Sequence, residues 1–206
     1  MDITWHGHAC FTLKGDRATV VTDAYNGLGV TLPKLKADIV ALGDELGIKN
    51  GEVAPLEGDP KVLDWPGEFE VAGVSIEAFP TDTAEGLIFL FYIDGIRVCH
   101  LSSLAHELSD EMVERIGDID VLLLPVGGGD VLEGKVAQKV LEALEPRVVI
   151  PMYHAAADSK LNIALPTEFL KAMGKTELDP INKYVAKGRS TLPEETMEVV
   201  LLSPAL

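Results

Sequence analysis

Ala37-Asp38-Ile39-Val40-Ala41-Leu42-Gly43-Asp44-Glu45-Leu46-Gly47-Ile48-Lys49-Asn50 joins a short apolar run to a polar segment broken by two glycines. Residues 39–42 have the character of a buried strand, and residues 43–50 read as a loop. A strand running out into such a loop is a common seat for catalytic groups, because the strand fixes the backbone while the loop aims side chains. Two neighbouring carboxylates, Asp44 and Glu45, stand there, and the stretch holds no histidine. In a partly buried cleft either carboxylate could hold a raised pKa and serve as a general base. The plain alternative is a solvated acidic loop.

Upstream, residues 3–5 and 9–13 flank a His6-Gly7-His8 turn, and residues 18–22 follow a second turn, which predicts a strand meander. Residues 23–36 and 47–60 read as loops. Downstream, 61–64, 68–80, 87–93 and 97–101 form a second β-rich block, with Asp94-Gly95 marking a hairpin. Then the periodicity changes. Ser109 is placed to cap a helix reaching residue 116, with Leu108 and Val113 as a hydrophobic staple. Residues 121–126 predict a buried strand, and Val136, Ala137, Val140, Leu141 and Leu144 line one helix face that stops before Pro146. A strand over 147–152, a helix over 167–173 capped by Thr167, and a strand over 198–202 complete the pattern. Strands first and strand–helix–strand units later suit a mixed sheet system covered by helices, in one domain spanning 1–206.

The chain carries 33 acidic against 17 basic side chains, a net charge of −16. Such a field repels nucleic acid and anionic membranes, and no Lys/Arg run offers a local basic patch, so neither is expected as a partner. The N-terminus lacks the basic and apolar regions of a signal peptide, and no apolar run approaches the roughly 20 residues of a membrane span. Cys10 and Cys99 lie in separate apolar runs and read as buried, reduced thiols. These features predict a cytoplasmic protein whose partner is a small molecule, another protein or a second copy of itself.

Ile3-Thr4-Trp5-His6-Gly7-His8-Ala9-Cys10-Phe11, Val20-Val21-Thr22-Asp23 and Ala37-Asp38-Ile39-Val40 resemble the opening of the metallo-β-lactamase superfamily. Pro66-Gly67-Glu68-Phe69-Glu70-Val71, Cys99-His100-Leu101, Leu123-Leu124-Pro125-Val126-Gly127-Gly128 and Val149-Ile150-Pro151-Met152 extend the similarity almost to residue 155. The branch it is most similar to is the UlaG-like group, the Zn-dependent hydrolases of the β-lactamase fold. The resemblance implies an αββα four-layer sandwich: two mixed β-sheets face to face, flanked by helices, with the site at one sheet edge. It also implies one or two zinc ions, which lower the pKa of a bound water to about 7 and present it to an ester, amide or phosphodiester.

The family's ligand places can be found here from their flanks. Its H-x-H-x-D-H loop should follow Asp38-Ile39-Val40, where Asp44 or, with slippage, Glu45 stands at the first His and Leu46, Ile48 and Lys49 fill neighbouring places. No histidine stands at Thr81-Asp82-Thr83, the place of a mid-chain ligand. The family's His-x-Gly-Asp reads His100-Leu101-Ser102-Ser103, with a hydroxymethyl group where the bridging carboxylate belongs. The closing Pro-Met-His-Tyr reads Pro151-Met152-Tyr153-His154, and a one-residue shift at a strand end sends a side chain to the opposite face.

All five histidines border these segments. One expectation is a relocated Zn, Fe or Mn site drawn from His8, His100, His106 or His154 with Asp23, Asp44 or Glu45, given about three to four converging ligands. The other is structural: His8 a hydrogen-bonding turn residue, His100 a strand-end residue, His106 and His154 exposed. Asp23 resembles the acid that braces the family's metal loop. Ser102 and Ser103, near His100 or His106, suggest a Ser–His nucleophile, although no G-x-S-x-G elbow accompanies them. The preferred expectation is a non-catalytic relative without a cofactor that keeps the scaffold and a ligand- or partner-binding cleft. A hydrolase with rebuilt ligands, and a structural subunit of a homo-oligomer, are the alternatives.

Overall fold

The structure is a computed structural model describing residues 1–81, 86–155, 162–175 and 178–205. The opening meander forms as its alternation predicts, with β1 (Asp2–Gly7), β2 (Cys10–Lys14) and β3 (Thr19–Thr22) as antiparallel neighbours. Two short strands, β4 (Tyr25–Asn26) and β5 (Leu35–Lys36), interrupt the next loop, and β6 (Ile39–Ala41) then lies parallel to β3. The segment after β6 is not the loop predicted from its polarity. It is helix α1 (Glu45–Asn50), for which Asp44 is the N-cap, its carboxylate accepting the Leu46 N–H at 3.1 Å. β7 (Glu52–Val53), β8 (Leu56–Glu57) and β9 (Lys61–Leu63) pair with β4, β5 and β6 respectively.

The single run read over 68–80 is a hairpin of β10 (Gly67–Val71) and β11 (Val74–Pro80). Its turn, Ala72-Gly73, takes φ of 52° and 79°, and alanine in that region gives no signal of the kind that Asn-Gly or Asp-Gly gives. β12 (Leu87–Ile93) and β13 (Ile96–His100) turn through Asp94-Gly95 as predicted. Then come α2 (Asp110–Ile116), β14 (Val121–Pro125), α3 (Gly134–Leu144), β15 (Val148–Met152), α4 (Thr167–Ala172), β16 (Tyr184–Val185) and β17 (Glu198–Val199). Ser109 caps α2, its hydroxyl accepting the Met112 N–H at 3.3 Å. Thr167 does not cap α4; it is the first helical residue, preceded by Pro166 at the cap position without a side-chain bond.

The strands form two mixed sheets, ordered β16-β1-β2-β3-β6-β9 and β10-β11-β12-β13-β14-β15-β17. Their facing sides enclose the main core, with Trp5, Phe11, Val20 and Ile39 from one sheet against Ile76, Phe89, Val98 and Ile150 from the other. Helices α2, α3 and α4 cover the outer face of the seven-stranded sheet, packing Ile116, Leu141 and Phe169 with Cys99, Leu122 and Val149. Outside the six-stranded sheet, residues 24–57 supply the fourth layer, with Tyr25, Leu28 and Leu35 packed with Val21 and Val40. This is the αββα sandwich. Cys10 and Cys99 are buried free thiols in different clusters, and burial pushes both pKa values up. Among the described residues no helix is long and apolar enough to cross a membrane.

Candidate functional site

Four strand ends deliver left-handed residues to one place. His8, Asp23, Ser102 and Tyr153 have φ of 47°, 41°, 48° and 51° and lie one or two residues beyond β1, β3, β13 and β15. A non-glycine residue in that region is disfavoured by roughly 1–2 kcal/mol. Among the described residues the other non-glycine cases, Ala72, Asp94 and Glu145, are in two hairpin turns and at a helix C-cap. Strain outside ordinary turns is therefore concentrated at this edge of the sandwich, where functional sites tend to store it.

Asp23 organises the base of the site. Its Oδ1 accepts the Gly43 N–H at 2.7 Å and the Asp44 N–H at 2.9 Å, and its Oδ2 lies 3.4 Å from the Ser102 hydroxyl oxygen. It thus braces the start of the segment after β6 and sets the direction of Asp44. Asp44 is buried, not a solvated loop residue. Its carboxylate accepts from the Tyr153 hydroxyl and the Leu46 N–H, with Ser103 as a further donor. Burial raises the pKa of Asp44, and burial reinforced by the Asp44 charge raises that of Asp23 well above the usual carboxylate range. Tyr153 is also pushed up, by burial and then by the Asp44 charge.

His100 is fully engaged. Its Nε2 lies 2.9 Å from the Ala9 carbonyl, which can only accept, so Nε2 carries the proton and Nδ1 accepts the Ser102 N–H at 3.2 Å. Ser102 Oγ is 3.3 Å from Nδ1, but its proton goes to the Leu87 carbonyl at 2.7 Å and the residue is buried. That removes Ser102–His100 as a nucleophilic pair. His8 is the turn residue expected: Nε2 donates to the Leu28 carbonyl at 3.0 Å, leaving Nδ1 as a buried lone pair without a partner.

Tyr153 and His154 divide the roles that the exchanged motif left open. Tyr153 enters the carboxylate cluster, its ring 5.5 Å from that of His8. His154, read from the sequence as exposed, is buried against Trp5 at 4.5 Å between ring centroids, and among the described residues neither ring nitrogen has a hydrogen-bond partner. Burial holds His100 and His154 down to about 4, so both rings are neutral near pH 7. His106 lies apart, its Nδ1 at 3.0 Å from the Glu107 carbonyl. Glu45 is ion-paired with Lys49 and borders a recess of about 150 Å³ together with Ser103 and His106. Of the mid-chain place, residues 82 and 83 lie outside the described residues.

A zinc ion does not fit these groups as they stand. Zinc needs about three or four lone pairs converging at roughly 2.0–2.3 Å. Asp23 Oδ1 is taken by two backbone N–H groups, Asp44 is occupied by Tyr153 and Leu46, and Nδ1 of His100 accepts the Ser102 N–H. Among the described residues no three His, Cys, Asp or Glu side chains are arranged to hold a metal ion. The candidates His8, His100, His154, Asp23 and Asp44 do lie around one strand-end region, yet they meet through hydrogen bonds and ring packing. Tyr153 was missed as a site residue; the exchange of Tyr and His in the closing motif was its only signal.

Comparisons with known proteins bear on the family and the fold. The model of the "Beta-lactamase superfamily domain" matches residues 2–153. A UPF0173 metal-dependent hydrolase of Methanoculleus marisnigri is 30% identical over 184 residues, covering 75% of this chain and 81% of the relative. A UPF0173 protein of Pyrococcus furiosus is 28% identical over 201 residues, covering 86% and 93%. A crystal structure from Thermotoga maritima, described as a candidate Zn-dependent hydrolase of the metallo-beta-lactamase superfamily, superposes with a TM-score of 0.83 at 33% identity, covering 98% of both chains. By its residues, its sandwich and these likenesses, the chain belongs to the metallo-β-lactamase superfamily.

Proposed function

We propose that this chain is a UlaG-like, cytoplasmic member of the superfamily that does not use the family's metal chemistry and serves as a ligand- or partner-binding scaffold. The hydrogen bond from Tyr153 to Asp44, at the place where the resemblance puts a metal ligand, carries this reading. A phenol donating to a carboxylate engages one of the lone pairs otherwise open to a cation. Tyr153 is fully buried on left-handed backbone, so it cannot swing aside without disturbing the end of β15. The recess bordered by Glu45, Ser103 and His106 offers a small polar ligand a place beside the cluster. At about 150 Å³, it is smaller than the usual small-molecule pocket of roughly 300–1,000 Å³.

The test is metal content. Protein purified without chelator, incubated with Zn²⁺ and desalted, should carry less than about a tenth of an equivalent, and Zn²⁺ should not raise its melting temperature. Stoichiometric zinc that disappears in Asp44→Ala would overturn the reading. A second reading rests on the bare nitrogens of His8 and His154, and on the names of the relatives: a hydrolase with a rebuilt ligand set. It requires bound metal that is lost in His8→Ala and in His154→Ala.

A further inference from the structure

The seven-stranded sheet ends at β10, and among the described residues no strand lies beyond it. One row of its peptide groups is therefore open to another strand. The two faces of β10 are chemically distinct. On the inner face, Phe69 and Val71 pack on the main core but remain half-buried, while their neighbours on β11, Ile76 and Val74, are buried. On the outer face, Glu68 and Glu70 are exposed and lead into a groove of about 450 Å³ that also borders Glu77, Tyr92 and Arg97. Glu77 is tied to Arg115 at 3.1 Å, and Arg97 stands three strands in, opposite Tyr92; Lys61 lies over the Trp65 ring at 5.5 Å and Arg17 beside the Gly73 turn, at the two ends of the strand, so Glu68 and Glu70 are the carboxylates along the open rim between them. Trp65, 44% exposed, stands at the start of the strand with its ring 5.6 Å from that of Phe69.

A second copy of the chain is a poor occupant of this edge. Antiparallel self-pairing centred on Phe69 would set Glu68 directly against the second copy's Glu70, and like charges directly opposite are destabilising. A net charge of −16 on each copy adds repulsion. The same carboxylates favour the opposite sign.

We propose that β10 is a docking edge for an extended, basic segment of another protein, which adds to the sheet as an eighth strand. Lys or Arg side chains at alternate positions face Glu68 and Glu70, and the apolar side chains between them complete the burial of Phe69 and Val71. The segment needed is short, about five residues of alternating basic and apolar character, matching β10 in length. This deepens the partner-binding reading above, on which it rests, but none of its groups belongs to the Asp23–Asp44–Tyr153 cluster.

The test titrates a blocked peptide of about seven residues, alternating Lys and Val, into the full chain at low salt. Trp65 emission and amide hydrogen exchange are the readouts, since Trp5 is only 1% exposed. Saturable change in emission, slowed exchange of amides 67–71, and affinity reduced roughly fivefold in the Glu68→Gln/Glu70→Gln double variant are expected. Raising salt should weaken binding, a Glu/Val peptide should not bind, and Trp65→Phe should remove the emission change. The exposed Gln pair leaves the melting temperature unchanged. Equal binding by the double variant, protection only outside 67–71, absence of binding at millimolar peptide, or a dimer that protects β10 without peptide would each overturn the proposal. No readout depends on metal, so failure here and failure of the metal test are separable.

Discussion

The hydroxyl of Tyr153 donates a hydrogen bond to the carboxylate of Asp44, joining residues 109 positions apart. One partner stands just beyond β15 in the seven-stranded sheet; the other caps α1 after β6 in the six-stranded sheet. The bond therefore ties the two sheets together at the site edge. Tyr153→Phe leaves the buried Asp44 carboxyl without this donor and should destabilise the fold by about 1–3 kcal/mol. Urea denaturation measures it, and an unchanged midpoint would show that the bond contributes nothing.

Burial and then the Asp44 charge push the Asp23 pKa well up, so a neutral side chain of the same shape should be tolerated there. Asp23→Asn keeps an oxygen for the Gly43 and Asp44 N–H groups and should cost less than about 1 kcal/mol. Asp23→Ala leaves both donors buried and unmatched and should cost about 2–4 kcal/mol. Equal losses in the two variants, by chemical denaturation, would mean that the native fold depends on the ionised carboxylate.

Acid sensitivity should trace in part to His154. Burial holds its pKa down to about 4, against about 6.5 in an unfolded chain. Between these values the folded state binds fewer protons than the unfolded state, so stability is lost as pH falls from about 6.5 to about 4. His154→Gln cannot titrate. The stability of the parent relative to this variant should fall by up to about 3 kcal/mol between pH 7 and pH 4. The raised carboxylates Asp23 and Asp44 act in the opposite direction but are common to both proteins, so the comparison isolates the imidazole. A pH-independent difference would count against a neutral, buried His154.

Gly47 supplies a steric test of the fourth layer. A Cβ added there would lie 2.2 Å from Cδ2 of the Tyr25 ring. Alanine improves helix propensity by about 1 kcal/mol, but forcing the ring aside costs about 1–3 kcal/mol. Gly47→Ala should therefore fail to stabilise and should lower the melting temperature; a rise would show that Tyr25 repacks freely.

Much of the sandwich was legible from pattern. Alternation marked β1, β2 and β3, the Asp94-Gly95 turn marked the β12–β13 hairpin, and Ser109 marked the start of α2. Each of these signals acts over a few neighbouring residues. Helix α1 was not legible, because Gly43 and Gly47 read as loop punctuation, whereas Gly47 is required by the closeness of Tyr25. The site was legible only as a list of members. The candidates Asp23, Asp44, His8 and His100 lie at one edge of the sandwich, but no local signal marked Asp44 as a buried cap or His154 as a buried neighbour of Trp5.

By itself, the sequence determined two β-rich blocks, their helices, the acidic surface and the absence of histidine from residues 37–50, because composition and short-range periodicity are local properties. Only the tertiary structure decided what replaces histidine there. Parallel pairing of β3 with β6, of β13 with β14 and of β14 with β15 helps bring distant strand ends together, and positive φ at residue 153 turns a tyrosine toward Asp44. Neither the convergence of strand ends nor the left-handed turn has a sequence period, so the same residues that suggested an unoccupied ligand loop form a hydrogen-bonded carboxylate–phenol cluster once the sheets are packed.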